Sequence, residues 1–380
     1  MENKRILILS TAYLPLIGGS ELAIFNVVTR LPDYEFDIVT GRPRKELPPF
    51  EESGNARVYR VGYGPGIFNV FLPKLFLPLM IFLKTLNLLL KNNYIAIHAF
   101  QASQAAGAGW MIKFIFPKIP FLLTMQEGKD LNNQNWLTRF FRQLIIHKAD
   151  AITVISSYLG DYVRRSDCEG IIRIIPNGVD ARLYKGMRVG KEAIRKLWGI
   201  PNDAKVVITT SRLVSKNNIA GLIKAISLLS ENYYLVIIGK GELEDSLKSL
   251  VENLEVKSKI IFMGEIAPSK IPTHLKAADV FVRPSFSEGL GNSFLEAMAA
   301  GIPVIGSDKG GIRDFLRDGK TGLVCNPDNP NDIAEKITRT LKDGALREKM
   351  IQNALDLVSR RYDWQIIAEE YGEVYRKIAT

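Results

Sequence analysis

Short apolar runs rich in β-branched residues recur through the chain and alternate with longer segments of helical character. Strands with little polar alternation are typical of a sheet covered on both faces, and strands that alternate with helices predict parallel sheets. In the first half, the runs are residues 5–10, 36–40, 56–61, 94–98, 120–125, 150–155 and 171–176. In the second half, they are residues 205–211, 233–239, 259–264, 279–283, 302–306 and 322–325. The pattern predicts an α/β protein with two doubly wound, Rossmann-like halves.

The length of the chain also predicts two domains. It has 380 residues, and a single hydrophobic core rarely grows beyond about 250–300 residues. The turn sequence Pro176-Asn177-Gly178-Val179-Asp180 opens a polar and basic stretch that ends at Gly190. We therefore expect domains at residues 1–186 and 187–360, followed by a terminal segment at 361–380. Ligands of open α/β sheets bind beyond the carboxyl ends of the strands, so we expect a ligand cleft between the halves.

Charge and composition narrow the class of partner. The formal net charge is +10, with 47% hydrophobic and 24% charged residues. A basic globular chain suits nucleic acid, an anionic membrane surface or phosphorylated substrates. No basic and aromatic ladder or RNP motif occurs, so nucleic acid is not expected. Cys168 and Cys325 form no C-x-x-C motif, and the three histidines lack metal-ligand spacing. A reducing, cytoplasmic setting without a structural metal is therefore expected.

Residues 284–301 form a glycine-containing loop between an apolar strand and a helix-forming run. Such a turn directs backbone N–H groups and the positive end of a helix at one point, which suits a phosphate or diphosphate. Glu288 and Glu296 bracket the loop. Because carboxylates repel phosphates, their expected targets are sugar hydroxyls. In the alternative interpretation, Ser293 and Glu296 form a capping box that merely closes the helix. The local pattern leaves both interpretations open.

Two cations follow the first strand of the second half. Arg212 comes directly after the run 205–211, and Lys216 follows four residues later. At the carboxyl end of a strand they would bring two positive charges to one point, which suits a diphosphate leaving group. The alternative is a pair of solvated basic residues. No Asp-x-Asp sequence is present to hold a metal that bridges phosphates. Fixed cations in place of a metal are therefore expected.

The strand ends of the first half offer further candidates. Gly18-Gly19 follow the first strand, where glycines allow a ligand to approach the backbone closely. His98 ends the fourth strand, and Gln126 and Glu127 follow the fifth. The alternatives are a flexible turn, a packing histidine and a solvated loop.

Residues 67–92 and 110–118 are rich in leucine and aromatic residues and contain lysines. Prolines and lysines interrupt both segments, so neither offers the uninterrupted span of about 20 apolar residues that crosses a bilayer. Either these segments are buried helices, or their apolar faces lie in the interface of an anionic membrane. The sequence leaves the two possibilities open.

Several motifs occur together in a fixed order. They are Gly18-Gly19, Arg212…Lys216, Gly239-Lys-Gly241-Glu242, Phe262-Met-Gly264 and Glu288…Glu296. With this set, the chain resembles the retaining glycosyltransferases of family four, whose most specific mark is the Glu-x7-Glu spacing. The resemblance implies a metal-independent GT-B enzyme that needs no cofactor. Such an enzyme moves a hexose-type sugar from a nucleotide-diphosphate sugar to a glycan or lipid-linked acceptor of the cell envelope, and works in the cytoplasm or on the inner membrane face.

The resemblance also assigns regions and roles. Residues 1–186 would bind the acceptor, residues 187–360 the donor, and the helix in 361–380 would pack back on the first domain. Arg212 and Lys216 would stabilise the departing diphosphate, Glu288 would hold the sugar or its phosphate, and Glu296 the ribose. Further donor contacts are expected from Gly19, Gly239, Phe262, Met263, Gly289, Leu290 and Gly291.

Two positions bear on the acceptor side. Relatives often carry histidine where this chain has Gln126, which can hydrogen-bond a substrate but cannot take a proton. His98 matches a histidine of the family, although the second polar position of that motif is Phe100 here. A nucleotide-sugar epimerase of the same fold and a non-catalytic nucleotide-sugar-binding subunit are the rival functions.

Overall fold

The computed structural model describes residues 4–62, 72–128, 131, 134–166, 168, 170–184 and 190–379. For residues 72–75 it describes the backbone but not the side chains. Residues 67–71 of the apolar segment and residues 185–189 beside the expected domain boundary lie outside the described residues. The chain divides into two compact units, one of Met1–Asn177 with Trp364–Thr380 and one of Gly178–Asp363. The first unit thus ends before the expected junction at residue 186.

The sheet of the first unit is largely parallel. Its strands are β1 (Arg5–Ser10), β2 (Glu35–Gly41), β3 (Phe50–Ser53), β4 (Ala56–Val61), β5 (Ala96–Phe100), β6 (Phe121–Met125), β7 (Ala151–Val154) and β8 (Ile171–Ile174). Within the described residues their order is β3-β4-β2-β1-β5-β6-β7-β8. Only β3 runs antiparallel to its neighbour there. The apolar runs do not predict β3, because this short edge strand reads Phe-Glu-Glu-Ser and is mostly exposed.

Helices connect the parallel strands of the first unit. They are α1 (Gly19–Thr29), α2 (Leu72–Lys91), α3 (Gln104–Ile115), α4 (Trp136–Lys148) and α5 (Ser157–Arg164). The strand β1 has β2 on one side and β5 on the other, so the order of connection reverses beside it. Such a reversal creates a crevice at the carboxyl ends of the strands.

The second unit contains a separate parallel sheet. Its strands are β9 (Lys205–Thr210), β10 (Tyr233–Ile238), β11 (Ile260–Gly264), β12 (Val280–Arg283), β13 (Val304–Ser307) and β14 (Leu323–Cys325). Their order among the described residues is β11-β10-β9-β12-β13-β14. The helices are α6 (Lys191–Trp198), α7 (Ile219–Ser227), α8 (Glu244–Asn253), α9 (Ile271–Ala277), α10 (Asn292–Ala299), α11 (Pro330–Lys342) and α12 (Gly344–Arg361). The predicted fold class, two Rossmann-like parallel sheets, is confirmed.

The last helix, α13 (Trp364–Ile378), belongs to the first unit. Trp364, Ile367, Tyr371 and Tyr375 recur at helical spacing and are buried in the same apolar cluster as residues of α1, β1 and β2. The spacing places them on one face of the helix, so burial of that face ties α13 to the sheet. The end of the chain therefore completes the core of the first unit.

Candidate active site

The strongest candidates meet where the sheet of the second unit reverses its order. Strand β9 lies between β10 and β12, with Val207 opposite Val280 and Ile208 opposite Phe281. The loop that carries Arg212 and Lys216 follows β9, and the loop 284–291 follows β12. The Phe286 N–H donates to the Lys216 carbonyl at 2.7 Å. The topology thus brings together two segments that are far apart in sequence.

Lys216 lies on a short 3-10 turn, Ser215–Asn217. The turn is tied back to the end of β9, because the Asn217 amide donates to the Arg212 carbonyl at 2.7 Å. The Lys216 ammonium lies 3.3 Å from Glu288 Oε2 and donates to the Ser287 carbonyl at 3.4 Å. Burial lowers the pKa of Lys216, and the carboxylate of Glu288 opposes this shift. The structure therefore pairs two residues that the sequence singled out separately.

Glu288 is buried and contacts two cations. Its Oε2 faces Lys216, and its Oε1 accepts a hydrogen bond of 2.7 Å from Arg283 Nη2. Both oxygens of the carboxylate are thus engaged within the protein. Sequence reasoning assigned Glu288 to the sugar or its phosphate, whereas the geometry makes it a counter-ion between Lys216 and Arg283.

Arg283 is a buried residue of the site that sequence reasoning missed. It ends β12, and its Nη1 donates to Ser293 Oγ at 2.6 Å and to the Thr210 carbonyl at 3.4 Å. Its guanidinium carbon lies 4.9 Å from the ring centroid of Phe294. Arg283 therefore links the ends of β9 and β12 with the first turn of α10. An arginine that ends the apolar run Val-Phe-Val was the signal in the sequence.

The capping box expected at the start of α10 is not formed. The helix begins at Asn292 after Gly291, whose φ of +101° is left-handed, and no side chain caps it. Ser293 lies inside the first turn, where its hydroxyl accepts from Arg283. A hydroxyl at this position cannot close the reciprocal bond that a capping box requires. The capping-box interpretation of Ser293 and Glu296 is therefore wrong.

Glu296 keeps its carboxylate available. Glu296 is partly buried in α10, and no group of the described residues donates a hydrogen bond to its carboxylate oxygens. Burial raises the pKa of Glu296 to about 7, against the opposing charge of Arg283. Burial raises the pKa of Tyr184, and the charge of Glu296 adds to that shift. A carboxylate in this state can accept hydrogen bonds from ligand hydroxyls.

The loop from Glu288 to Gly291 is buried beside the start of α10. Leu290 is buried, and the Glu288 carbonyl accepts from the Gly311 N–H at 3.1 Å. These contacts hold the Gly289–Gly291 segment against the loop that follows β13. The predicted use of backbone groups at Gly289, Leu290 and Gly291 is compatible with this placement.

Gly239 ends β10 beside the loop that carries Arg212. Its φ is +134°, and a Cβ there would collide with the Ser211 carbonyl oxygen. Only glycine allows this close approach of the two strand ends. Phe262 and Met263 lie on the outer strand β11, which is next to β10 and separated from β12 by two strands. They are partly exposed, at the side of the carboxyl edge away from Glu288.

His98 lies in the core of the first unit. It has no exposed surface, and its Nδ1 and Nε2 lie 2.7 Å from the Tyr375 hydroxyl and 2.6 Å from Thr124 Oγ1. Burial lowers the pKa of His98 to about 3, so the ring is neutral at physiological pH. These contacts favour the packing alternative over a ligand-contacting role.

Gln126 and Glu127 lie at the carboxyl end of β6. Gln126 accepts from the Asn177 amide at 3.3 Å, and Glu127 Oε1 accepts from the Ala102 N–H at 2.8 Å. Gln126 Nε2 and Glu127 Oε2 are buried and have no hydrogen-bond partner among the residues that the structure describes. Burial raises the pKa of Glu127, and Arg142 opposes the shift. Buried polar atoms left over in this way can receive a ligand or a water molecule.

Gly19 is the first residue of α1, directly after the β1 loop. Gly18 caps this helix through backbone conformation alone, without a side-chain hydrogen bond. The backbone N–H groups of the first turn are therefore available to an anion. Glu21 is the acidic residue in that turn.

The two leucine-rich segments are only partly buried. In α2, Ile81 is fully buried while Leu83 and Leu90 are exposed, and in α3 the side chains of Phe114 and Ile115 are exposed. In the described part of the chain, no helix has both the length and the hydropathy that crossing a bilayer requires. The sequence analysis missed a further exposed surface on α4, which is formed by Trp136, Leu137, Phe140 and Phe141.

Comparison with known proteins extends these observations. Residues 190–356 match the family described as glycosyl transferases group 1, and residues 17–183 match glycosyltransferase family 4. An uncharacterized glycosyltransferase of Methanocaldococcus jannaschii is 28% identical over 361 residues, which cover 90% of each protein.

Solved structures show the same fold. Sucrose-phosphate synthase from Thermosynechococcus elongatus has a TM-score of 0.87 at 23% identity over 99% of both chains. Anabaena HepE, solved in complex with UDP-glucose, has a TM-score of 0.81 at 20% identity over 98% of this chain and 99% of that chain. The fold is GT-B, as the sequence predicts.

Proposed function

We propose that the chain is a glycosyltransferase of the GT-B fold that transfers a hexose-type sugar with retention from a nucleotide-diphosphate sugar to a glycan or lipid-linked acceptor of the cell envelope. The matches of residues 190–356 and 17–183 to two glycosyltransferase family models support this class. The observation that carries this proposal is the ion pair of Lys216 with Glu288, formed on the loop that also carries Arg212, at the point where the strand order of the second sheet reverses. HepE, which has this fold, is solved with UDP-glucose bound.

Arg212 and Lys216 would act on the leaving nucleotide. Negative charge on the departing diphosphate grows as the bond to the sugar breaks, so cations beside it stabilise the transition state more than the ground state. In the described residues, no group of three or more His, Cys, Asp or Glu side chains is placed to hold a metal. We assign the compensation of this charge to Arg212 and Lys216, because the same loop after β9 carries both cations.

Retention would follow from transfer on one face of the sugar. The nucleotide leaves, an oxocarbenium-like state forms, and the departing phosphate oxygen accepts the proton of the acceptor hydroxyl. Glu288 is the carboxylate at the centre of the site, and both of its oxygens face cations. A carboxylate held in this way is poorly placed to attack the sugar, which supports a route without a protein nucleophile.

The remaining candidates would hold the two substrates. Glu296 would accept the ribose hydroxyls, with Gly239, Phe262, Met263 and the 289–291 backbone along the rest of the donor. In the first unit, the unpartnered atoms of Gln126 and Glu127 would receive the acceptor hydroxyls. The first turn of α1 at Gly19 would approach an anionic group.

A lipid-linked acceptor would explain the exposed apolar faces of the first unit. Exposed aromatic and leucine side chains lie on α2, α3 and α4, and the Lys148 ammonium lies 4.8 Å from the ring centroid of Phe114. Apolar side chains flanked by cations suit the interface of an anionic membrane. We place the enzyme in the cytoplasm, at the inner face of the membrane.

A thermal-shift screen over nucleotides and nucleotide sugars tests the proposal. A ligand at 100 times its Kd should stabilise the protein by about 2.7 kcal/mol, and Lys216→Met should lose this response to diphosphates. NMR analysis of the reaction products then separates the possible functions. A transferred sugar with unchanged anomeric configuration supports retention. Epimerised donor without an acceptor product, or tight binding without turnover, would contradict the transferase proposal.

A further inference from the structure

A chain of charged contacts connects Arg283 to Lys216. Arg283 Nη2 donates to Glu288 Oε1 at 2.7 Å, and Glu288 Oε2 lies 3.3 Å from Lys216 Nζ. The side chains of Arg283, Glu288 and Lys216 are 7%, 10% and 22% exposed. Because one carboxylate contacts both cations, the place of the Lys216 ammonium depends on where Glu288 is held.

Arg283 is itself fixed by several elements. Its Nη1 donates to Ser293 Oγ at 2.6 Å and to the Thr210 carbonyl at 3.4 Å. The guanidinium also packs against Phe294, with 4.9 Å between its carbon and the ring centroid. A planar guanidinium can make these contacts and bind Glu288 at the same time, whereas a lysine ammonium cannot reproduce that fork.

The loop leaves room for the guanidinium. Gly291 has a φ of +101°, and a Cβ at this residue would lie 3.3 Å from Arg283 Nη2 and 3.0 Å from the Phe294 ring. A side chain at residue 291 would thus be strained in its backbone and crowded against Arg283. The loop conformation and the position of Arg283 depend on each other.

We propose that Arg283 is a positioning residue that acts through Glu288 to place the Lys216 ammonium for the donor diphosphate. The proposal rests on the proposed function, in which Lys216 contacts that diphosphate. Four residues of the protein hold the Arg283 side chain in place. They are Glu288, Ser293, Thr210 and Phe294. In this proposal Arg283 acts on the diphosphate through the ion pair of Glu288 with Lys216.

A double-mutant cycle tests this dependence on the full chain. The variants are Arg283→Met, Lys216→Met and the two combined, and calorimetry measures their affinity for UDP and for GDP. Each single variant should raise the Kd of the diphosphate that binds by about tenfold. The double variant should bind within about twofold of Lys216→Met, since effects that pass through one group are not additive. Additive losses, on the order of a hundredfold together, would overturn the proposal.

The phosphate-free nucleoside and a distant arginine serve as controls. Arg283→Met should change the affinity for uridine or guanosine by less than about twofold, because neither carries a diphosphate. Equal losses for nucleoside and diphosphate would show a general disturbance of the site and overturn the proposal. Arg360→Met removes an exposed arginine that pairs with Asp356 on α12 in the same unit, and it should leave the diphosphate Kd unchanged.

Further variants separate the possible failures. If circular dichroism shows that Arg283→Met is not folded, the double-mutant cycle is repeated with Arg283→Lys. This variant keeps a cation beside Glu288 but cannot bind Glu288 and Ser293 at the same time as the two guanidinium nitrogens do. The expected loss is then smaller and again non-additive with Lys216→Met. If Lys216→Met binds diphosphate like the wild type, the proposed function loses its diphosphate contact and the inference falls with it. If Lys216→Met weakens binding and Arg283→Met adds to it independently, only the inference is wrong.

Discussion

His98 Nδ1 lies 2.7 Å from the Tyr375 hydroxyl, and this contact joins β5 to the C-terminal helix inside the core of the first unit. The other ring nitrogen lies 2.6 Å from Thr124 Oγ1. A neutral, buried histidine thus connects the end of the chain to the sheet. It contributes to stability through hydrogen bonds that water cannot replace.

We expect His98→Phe to destabilise the protein by about 1–3 kcal/mol, because the buried Tyr375 hydroxyl loses the ring nitrogen that it contacts, whereas Thr124 Oγ1 keeps its contact with Thr153. Burial lowers the pKa of His98 from 6.5 to about 3. Between these values the unfolded chain binds the extra proton, so wild-type stability falls as the pH drops below 6.5. Melting temperatures from pH 7 to pH 4 should show a shallower fall in His98→Phe. Parallel curves for the two proteins would contradict a buried neutral ring.

Glu296 should make donor binding dependent on pH. Burial raises its pKa from 4.5 to about 7, so the carboxylate forms as the pH rises through that value. Two hydroxyls can then donate to it, and donor affinity should increase from pH 6 to pH 8. Glu296→Gln should bind more weakly, with a Kd that is flat over the same range. A wild-type Kd that does not change with pH would count against the ribose contact.

The raised pKa of Glu296 makes the stability of the fold decrease as the pH rises, whereas donor binding should strengthen as the pH rises. Between pH 4.5 and about pH 7 the native protein holds a proton on Glu296 that the unfolded chain has lost. Stability contributed by this group therefore falls as the pH rises through that window. Glu296→Gln should remove this part of the pH dependence from the melting curves.

Glu288→Gln should change the pH profile of catalysis. Burial lowers the pKa of Lys216, Arg283 and Arg212 add repulsion, and Glu288 opposes the shift. Without that carboxylate, Lys216 loses its proton at lower pH, so the basic limb of kcat/KM should move to lower pH. Adding Lys216→Arg to Glu288→Gln should remove the shift, because arginine stays protonated. A basic limb that stays in place in Glu288→Gln would contradict the ion pair.

The exposed surface of α4 should bind anionic membranes. Trp136 and Phe140 lie one helical turn apart and are 75% and 52% exposed. We expect the double variant Trp136→Ser/Phe140→Ser to sediment several-fold less with vesicles that contain phosphatidylglycerol at low salt. Leu197→Ser is a matched control, because this equally exposed residue lies on α6 in the other unit. Equal sedimentation of all three proteins would remove the membrane proposal.

The strands could be predicted because each buried strand is itself a largely apolar run, which can be read without knowledge of the rest of the fold. The apolar segments match strands of both sheets. Strand β3 was not predicted, because an exposed edge strand needs no apolar run. The meeting of Lys216 with Glu288 could be anticipated only as a consequence of strand ends sharing one edge. The sequence does not carry the distance of 3.3 Å between them.

Two alternatives that the sequence left open are decided by contacts outside the local motif. Ser293 and Glu296 have capping-box spacing, but the Ser293 hydroxyl accepts a hydrogen bond from Arg283. The helix begins at Asn292 after the left-handed Gly291, two residues earlier than a cap at Ser293 would require. His98 follows a strand pattern that gives no sign of the helix α13 that buries it. His98 and Tyr375 are 277 residues apart, whereas Arg283 precedes Ser293 by 10 residues and still lies outside the motif.

The most direct test of the account is the turnover of Arg212→Ala with the nucleotide sugar that the thermal-shift screen selects. Sugar release from the nucleotide should fall by at least ~100-fold in kcat, because the diphosphate loses a cation when its charge develops. The melting temperature should stay close to that of the wild type, since Arg212 lies in a loop after β9. Turnover near the wild-type rate by a folded Arg212→Ala protein would contradict the central claim.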